Sequence, residues 1–103
     1  MLLAGDATGK IQLFELKNKI ALRSYSICKN RINALAFSEN NRNFVSCAND
    51  TCIRYYDIQD SNNNSAIEIG AAHSDNIKQV KLISDHLLLS ASADKHVKLW
   101  DLR

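Results

Sequence analysis

Three segments of the chain resemble one another at a nearly constant spacing, and this repetition constrains the fold more than any other feature. They superpose without gaps at residues 4–16 (AGDATGKIQLFEL), 46–58 (SCANDTCIRYYDI) and 90–102 (SASADKHVKLWDL). Each ends on an aromatic, an acidic and an aliphatic residue, and the acidic residues are 42 and 44 positions apart. A repeat of this length indicates a supersecondary unit that buries its faces against copies of itself.

The residues between these segments show the alternation of apolar and polar side chains that is typical of half-buried strands. The alternation is clearest in residues 32–37 (INALAF) and 77–82 (IKQVKL), and it recurs in residues 20–27 and 65–72, which we expect to be outer strands. The Asn- and Ser-rich stretch 60–65 (DSNNNS) has the chemistry of a turn. Helical spacing does not persist beyond one turn, so we predict an all-β chain of ten strands.

Repetition favours a β-propeller over a β-sandwich, because a sandwich has frequent turns but no need to repeat its sequence. We predict a partial propeller of about two and a half four-stranded blades. Three strands of a first blade lie in residues 1–27, four strands of a second in 28–72, and three strands of a third in 73–103. A propeller removes its sheet edges by closing a ring, typically of about four to eight blades. These strands cannot close that ring, so we expect open blade edges and self-association through them.

Three explanations are open for an unclosed ring. The chain is a fragment of a longer protein, which we favour, or a short protein that completes a ring by self-assembly, or a subunit that inserts into another propeller. The genomic sequence on either side of Met1 and Arg103 would decide between them.

The third segment and the residues before it carry a resemblance to a known family. With HSD at residues 73–75 and SADKHVKLWD at 92–101, the chain resembles the WD-repeat β-propeller proteins over essentially its whole length. The resemblance implies a structural tetrad that ties the third blade together, formed by His73, Ser90, Asp94 and Trp100. In it an imidazole N–H donates to the aspartate, and the serine links the imidazole to the indole N–H. Such pairing is needed because a buried carboxylate without a partner is costly.

The other two blades depart from this pattern. In the second blade the resemblance places a degenerate tetrad without a histidine, for which we expect only a partial network: Cys28, Ser46, Asp50 and Tyr56. In the first blade Ala4, Thr8 and Phe14 occupy the corresponding positions, and Asp6 is displaced by two residues. We expect these departures to lower local stability without changing the fold.

No catalytic or metal-binding constellation emerges from the sequence. Ser90, His73 and Asp94 have the residue types of a hydrolase triad, but the same Ser–Asp spacing recurs at Ser46 and Asp50 without a histidine, which favours a structural device. No loop that could supply an oxyanion hole is evident. The three histidines share no ligand spacing: His73, His86 and His96. We therefore predict that the chain is not an enzyme and takes no metal, cofactor or small-molecule substrate.

The cysteines and the hydropathy pattern indicate an intracellular protein. Cys28, Cys47 and Cys52 form no Cys-x-x-Cys pair, and an odd number of thiols is typical of a reducing compartment. Cys47 and Cys52 bracket a predicted hairpin and could approach one another, but no activating base accompanies them, so we expect two small strand residues. No apolar run is long enough to span a membrane, and no membrane partner is predicted.

A narrower likeness within the family suggests a function. The AGDATG hairpin at 4–9 and the ALRSY strand at 21–25 are most similar to a WD-repeat subunit of the nucleolar small-subunit processome, in its UTP-A sub-complex. This resemblance implies a nuclear, nucleolar scaffold that binds other proteins of a multisubunit complex during transcription and processing of pre-18S ribosomal RNA. Contacts with pre-rRNA or small nucleolar ribonucleoproteins are implied as well. The alternatives are an adaptor of a ubiquitin-ligase or trafficking complex, and a propeller that binds RNA directly.

The charge pattern bears on the RNA alternative. A formal net charge of +2 does not by itself favour a nucleic-acid partner. The basic residues lie in two loose groups, several of them at solvent-facing strand positions: Lys17, Lys19, Arg23, Lys29, Arg31 and Arg42, then Lys78, Lys81, Lys95 and Lys98. These are the side chains expected to contact RNA phosphates if the chain binds RNA.

Overall fold

In the computed structural model, which describes residues 1–26, 28–59 and 67–102, every regular element is a β-strand. In chain order the strands of this part are β1 (Leu2–Gly5), β2 (Ile11–Glu15), β3 (Ile20–Tyr25), β4 (Ile32–Phe37), β5 (Asn43–Ala48), β6 (Ile53–Asp57), β7 (Ile67–Ile69), β8 (Ile77–Leu82), β9 (Leu87–Ser92) and β10 (Val97–Asp101). The prediction of an all-β chain is confirmed. Because these residues contain no helix, none of them forms a helical membrane span.

The predicted strands agree with the observed ones most closely where the alternation is strongest. Residues 32–37 and 77–82 are β4 and β8, as predicted. The outer strands are shorter than predicted, since β3 ends at Tyr25 and β7 gives way to a turn at Gly70. Parts of the predicted pattern lie outside the described residues: residue 27, the turn at 60–65, residue 66 and Arg103. The predicted limits of the blades stay a prediction.

The strands form three antiparallel sheets in which each strand pairs with its neighbours along the chain. We call them the first blade (β1, β2, β3), the second blade (β4, β5, β6, β7) and the third blade (β8, β9, β10). The pairing of β4 with β5 shifts in register after Ile32, which leaves Asn33 at a bulge. A bulge re-aims a side chain, and the Asn33 amide nitrogen reaches the Ile77 carbonyl of the third blade at 2.8 Å.

Two apolar cores lie on the two sides of the second blade. Its strand β5 (NFVSCA) is buried on both faces, which explains why the sequence there is nearly continuous in apolar residues instead of alternating. The core toward the first blade contains Ile11, Leu13, Tyr25, Cys28, Ile32, Phe44, Ala48 and Tyr56. The core toward the third blade contains Val45, Cys47, Ile53, Ala72, Ile77, Val80 and Leu88, with Trp100 packed against it.

Three aromatic rings join the first blade to the second. Phe44 and Tyr56 stack with ring centroids 4.4 Å apart, and Tyr25 of β3 meets them edge-on at 5.2 and 5.1 Å. Offset and edge-to-face pairs of this kind stabilise a core by about 1 kcal/mol each beyond the burial of their area. The degenerate position Tyr56 therefore contributes packing between blades.

The hairpin turns β1–β2, β5–β6 and β9–β10 repeat one backbone geometry. Gly9, Thr51 and Lys95 occupy the same position in these turns, and all have positive φ, at 92°, 65° and 73°. Glycine adopts this conformation freely, whereas a β-branched threonine does so only under strain. The sequence repeat thus extends to the turns, although only the first has the residue that the geometry favours.

Candidate functional site

The structure brings the four residues of the predicted tetrad into one hydrogen-bonded chain across the third blade. His73 Nδ1 lies 2.8 Å from Asp94 Oδ2, and His73 Nε2 lies 2.7 Å from Ser90 Oγ. The Trp100 indole Nε1 donates to the same Ser90 oxygen at 2.9 Å. We call these residues the third-blade network. It connects the loop before β8, the strand β9, the β9–β10 turn and the strand β10.

Only one assignment of hydrogen-bond donors and acceptors satisfies every group of the network. The indole N–H can only donate, so Ser90 Oγ accepts there and its own hydrogen is available for His73 Nε2. A neutral imidazole that accepts at Nε2 carries its proton on Nδ1, which points to the Asp94 carboxylate. Every polar atom along the line from Trp100 to Asp94 is therefore satisfied, as burial requires.

Asp94 ends the network as a carboxylate. Burial opposes its charge, but the Ser74 backbone N–H at 3.1 Å, the His73 ring and the His96 backbone N–H at 2.9 Å outweigh burial and hold the pKa of Asp94 well below its usual range. Asp94 also shapes the β9–β10 turn, because its Oδ1 accepts from the His96 backbone N–H, and its Oδ2 holds the loop before β8 through the Ser74 backbone N–H. The residue is therefore both an electrostatic partner of His73 and a turn former.

The spacing of Ser90, His73 and Asp94 is that of a hydrolase triad, but their surroundings are not. Ser90 is 1% exposed, and the His73 side chain is fully covered. A nucleophilic hydroxyl has to reach its substrate, whereas Ser90 is buried and its Oγ is already held by the imidazole and the indole. The arrangement can position strands and carry hydrogen bonds, and it offers no surface to a substrate.

The degenerate residues of the second blade form two separate pairs. The Cys28 thiol donates to Asp50 Oδ2 at 3.4 Å, in the place where an imidazole meets Asp94 in the third blade. Ser46 Oγ lies 3.5 Å from the Tyr56 hydroxyl. No hydrogen bond connects the two pairs within the described residues, so the second blade has only a partial network, and burial raises the pKa of both Cys28 and Tyr56.

Arg54 of β6, which is not one of the predicted tetrad positions, adds two ion pairs to the second blade. Its Nη2 lies 2.7 Å from Asp50 and 3.0 Å from Glu68 of β7, and its side chain is only 8% exposed. Burial works against both charges of the inner pair, yet the ion pair lowers the pKa of Asp50 and raises that of Arg54. Arg54 Nε is buried without a partner among the described residues. An arginine thus takes over the role of counter-charge to the turn aspartate.

Sequence reasoning missed Arg54 and Glu68, although one signal for Arg54 was present. In both CIRYYDI and HVKLWDL a basic residue, Arg54 or Lys98, precedes the tetrad aromatic by two positions. That spacing puts the basic and aromatic side chains on the same face of the strand. Glu68 gave no such signal, because it belongs to a different strand whose pairing partner is set by register.

The first blade has no network at its corresponding positions Ala4, Thr8 and Phe14. Asp6 instead organises the β1–β2 turn locally and accepts from the Thr8 hydroxyl at 2.6 Å and from the Thr8 and Lys10 backbone N–H groups. These bonds, the Thr8 hydroxyl foremost, lower the pKa of the exposed Asp6. The displaced aspartate is therefore a turn former whose side-chain bonds stay within the turn, while its backbone carbonyl accepts from the Ile32 N–H of β4 at 3.1 Å.

The remaining candidate residues show no reactive arrangement. All three cysteines are free thiols, and burial raises the pKa of Cys47 to about 12. His96 lies beside Asp94 at 3.5 Å on an exposed strand end. Among the residues that the structure describes, no group of three His, Cys, Asp or Glu side chains could hold a metal ion.

Curated relatives of the chain include WD repeat-containing proteins and a protease-activating factor. The WD repeat-containing protein 55 homolog of Drosophila ananassae is 27% identical over 97 residues, which covers 92% of this chain and 20% of that protein. The Drosophila melanogaster homolog is 28% identical, with 92% and 19% covered. Mouse apoptotic protease-activating factor 1 is 28% identical over 98 residues, with 95% and 8% covered. The chain thus spans about a fifth or less of the length of these relatives.

Two solved structures share the fold. The β-propeller domain of Myceliophteria thermophila Cps50 (Swd1) superposes with a TM-score of 0.86 at 17% identity, and covers 97% of this chain and 31% of that one. A chain of the mitotic checkpoint complex gives a TM-score of 0.87 at 20% identity, with 98% and 31% covered. The prediction of a partial β-propeller is confirmed.

The family comparison agrees with the repeat and with the fold. The model of the WD domain, G-beta repeat, matches residues 21–57 and 66–101. Each match starts at the outer strand of one blade and ends on the third strand of the next, so the sequence repeat and the blade are out of phase. The matches cover most of the sequence, and the chain belongs to the WD40 repeat family.

Proposed function

We propose that the chain belongs to a non-catalytic scaffold that binds other proteins, and that its tetrad residues have a structural role. The observation that carries the proposal is the closed third-blade network, in which Ser90, His73 and Trp100 direct their polar atoms at one another. The polar groups that look reactive in the sequence are therefore engaged in hydrogen bonds that hold the strands together. What is left for partners is an exposed surface of strand edges and turns, which suits protein binding.

The finer proposal is a role in ribosome biogenesis. The AGDATG hairpin and the ALRSY strand support it through their resemblance to U-three small nucleolar RNA-associated protein fifteen, a processome subunit. The WD repeat-containing protein 55 homologs are similar along nearly the whole chain but at low identity, so they support the repeat family and leave the process open. On this proposal the protein acts in the nucleolus during processing of pre-18S ribosomal RNA.

Affinity purification of the tagged protein from cells that express it tests both the scaffold proposal and the proposed role in ribosome biogenesis. We expect co-purification of small-subunit processome proteins, enrichment of pre-18S RNA, and fluorescence that coincides with a nucleolar marker. Enrichment of ubiquitin-ligase or vesicle-coat subunits in their place would retain the scaffold and overturn the processome assignment. A Ser90→Ala variant is the matched control, because it removes two internal hydrogen bonds and leaves the exposed surface unchanged.

Direct contact with RNA is a second candidate, and one observation favours it. The β1–β2 and β9–β10 turns and the loop before β4 lie along one rim of the molecule, since each turn bonds to the segment that enters a neighbouring strand. Four exposed basic residues lie on this rim, namely Lys10, Lys29, Arg31 and Lys95, against the exposed acids Asp6 and Asp75. Such a rim could meet the phosphates of a single strand without reading its bases.

The salt dependence of binding tests this second candidate. If the rim binds RNA, the affinity for a single-stranded oligonucleotide should fall steeply between about 50 and 200 mM salt, and the slope should shrink when Lys29 and Arg31 are both changed to Gln. Changing Lys17 and Lys19 of the β2–β3 turn to Gln serves as the control of equal charge. Affinity that does not vary with salt, or that both double variants weaken equally, would contradict RNA binding by the rim.

A further inference from the structure

Three buried polar groups of the second blade are poorly satisfied by the protein atoms around them. Arg54 Nη2 bonds to Asp50 and Glu68, but the neighbouring Nε has no hydrogen-bond partner among the described residues, although the side chain is only 8% exposed. The Ser46 and Tyr56 hydroxyls lie 3.5 Å apart, which is longer than an ordinary bond between two hydroxyl groups. Buried polar groups are normally paired, so a further hydrogen-bond partner is expected here.

The strand register brings these three groups together. Ser46 of β5 lies directly opposite Arg54 of β6, and Tyr56 follows Arg54 by two positions, so the three side chains are on the same face of the sheet. That face is turned toward the first blade, because Tyr56 belongs to the core on that side. Ser46 and Tyr56 are 2% and 1% exposed. The three polar groups therefore share one buried region between the first and second blades.

The third blade shows which group fills the same place when the tetrad is complete. There the His73 imidazole joins Asp94 to Ser90, with contacts of 2.8 and 2.7 Å at its two ring nitrogens. In the second blade Cys28 takes the histidine position, and its thiol reaches Asp50 at 3.4 Å. A thiol is shorter than an imidazole, so the far half of the ring has no counterpart in the Cys28 side chain.

We propose that one buried water molecule binds between Arg54 Nε, Ser46 Oγ and the Tyr56 hydroxyl, and joins the two pairs of the second blade into one network. The water accepts from the Arg54 N–H and from the Tyr56 hydroxyl, and it donates to Ser46 Oγ, whose own hydrogen points to the Tyr56 oxygen. About three hydrogen bonds are usual for a buried water. The site lies inside the second blade and does not depend on which partner the protein binds.

The charges around the site favour a neutral ligand over an anion. Asp50 and Glu68 both lie against the single positive charge of Arg54, so the acids outnumber the base and would repel a chloride or phosphate ion. An aromatic ring is not the partner of Arg54 either, since within the described part of the chain the cation above a ring is Lys98, over Trp100. A water molecule supplies the acceptor that Nε needs without adding charge.

A crystal structure of the unmodified full chain that resolves ordered solvent tests the site directly. We expect one electron-density peak within about 3 Å of Arg54 Nε, Ser46 Oγ and the Tyr56 hydroxyl. The peak should give no anomalous signal from crystals grown in bromide, because only an anion would exchange for bromide. A site without a peak, a direct bond from Arg54 Nε to a protein oxygen, or a bromide signal would overturn the proposal.

The number of long-lived internal water molecules, measured in solution by magnetic relaxation dispersion of the solvent, gives an independent test. Ser46→Val puts methyl groups at the position of the water and should lower this number by one, whereas Ser46→Ala leaves two of the partners and should keep the water. Val45→Ala is the matched control, because it shortens a buried residue on the opposite face of β5 and leaves an apolar cavity, which stays dry. Equal losses in Ser46→Val and Val45→Ala, or no loss in Ser46→Val, would contradict the proposal.

Cys28→His tests whether the water occupies the position of the missing imidazole. In this variant the ring should reach Ser46 as His73 reaches Ser90, and a crystal structure should show a ring nitrogen in place of the water peak. A water that remains bound between Arg54 and Ser46 beside the new ring would contradict this equivalence. If the variant does not fold, the crystal structure of the unmodified chain still decides whether the water is present.

Discussion

At the scale of single residues, Ser90 is the centre of the third-blade network, because two partners bond to its one oxygen. His73 Nε2 and Trp100 Nε1 both meet Ser90 Oγ, at 2.7 and 2.9 Å. Ser46 occupies the same position of the second blade and is equally buried, but it has only a 3.5 Å contact with Tyr56. The repeat therefore offers an internal comparison between a connected and an unconnected serine.

Replacing the two serines in turn should have unequal effects on stability. Ser90→Ala leaves a ring nitrogen and an indole N–H unsatisfied and should lower the free energy of unfolding by about 2 kcal/mol. Ser46→Ala should lower the free energy of unfolding by less than about 1 kcal/mol, since it removes only the long contact with the Tyr56 hydroxyl. Urea unfolding followed by tryptophan fluorescence measures both. Equal losses would contradict the structural role of the third-blade network.

Asp94 predicts how stability varies with acidity. Because its pKa in the folded chain is well below its usual range, the unfolded chain binds the proton more readily. The contribution of Asp94 to stability is complete above the usual aspartate pKa of about 3.9 and is lost as the pH falls below that value. His73 and His96 are the titratable groups beside it.

Unfolding by urea between about pH 5 and pH 2 measures this dependence. We expect the chain to lose stability over that range, and Asp94→Asn to be less stable at pH 5 but to decline less steeply. Asp85→Asn, which changes an exposed turn carboxylate, should keep the original decline. If Asp94→Asn declines as steeply as the unchanged chain, the carboxylate does not carry the effect.

At the scale of the elements, the β1–β2 turn depends on a glycine for two reasons. Gly9 has a φ of 92°, and a Cβ added there would lie 2.2 Å from the Cys28 carbonyl oxygen. The contact is with backbone, which cannot move aside as a side chain can. The turn and the segment that leads into β4 are thus packed with no room between them.

Gly9→Ala should therefore lower the free energy of unfolding by at least about 2 kcal/mol, through strain and displacement of the adjoining segment. Gly70→Ala is the matched control, because nothing lies within 4 Å of a Cβ there. The control should be neutral or slightly stabilising. Thermal unfolding monitored by circular dichroism compares the two, and similar melting temperatures would contradict the close packing at Gly9.

Arg54 joins three elements of the second blade: the strand β6, the β5–β6 turn through Asp50, and β7 through Glu68. Arg54→Met keeps the apolar stem but leaves the half-buried Asp50 without its counter-charge, and should cost about 3 kcal/mol. Glu68→Gln, at a site that is half exposed, should cost less than about 1 kcal/mol. Chemical denaturation measures both, with Arg31→Met on the exposed rim as the neutral control.

At the scale of the whole molecule, the blades are coupled by a few polar contacts as well as by the two cores. Asn33 donates to Ile77 O of the third blade and to Asn49 Oδ1 within the second, both at 2.8 Å. Tyr55 of β6 reaches the Asp85 carbonyl of the third blade at 3.2 Å. The bonds to Ile77 and Asp85 cross from the second blade to the third and add to the apolar packing of the core between them.

Asn33→Ala should reduce this coupling and lower the free energy of unfolding by about 1 kcal/mol. Hydrogen exchange in the native state should show faster exchange of the amides of β8, the strand that contains Ile77, than of β2. Asn18→Ala, which removes only a bond to Glu15 in an exposed turn, is the control. Uniform acceleration in every strand would show that Asn33 affects global stability instead of the contact between blades.

The period and the alternation were enough to predict the strands β4 and β8 and the three hairpin turns, whereas the gathering of His73, Ser90, Asp94 and Trp100 was an expectation of the resemblance to WD-repeat proteins. Three features could not be predicted in the same way. Arg54 reaches Glu68 because of a strand register that local alternation does not encode. Asn33 reaches Ile77 only because a bulge shifts the pairing after Ile32. Thr51 has a positive φ, a backbone geometry suited to glycine that the presence of a threonine does not predict.

The offset between sequence repeat and blade has a consequence for how such chains grow. The two matched ranges set the limits of one repeat. A duplicated copy with these limits supplies the outer strand of the preceding blade and the first three strands of the next blade. Each copy therefore links two neighbouring sheets through one continuous stretch of chain. Gene duplication can lengthen the series one unit at a time, and every internal sheet is complete as soon as the next copy is translated.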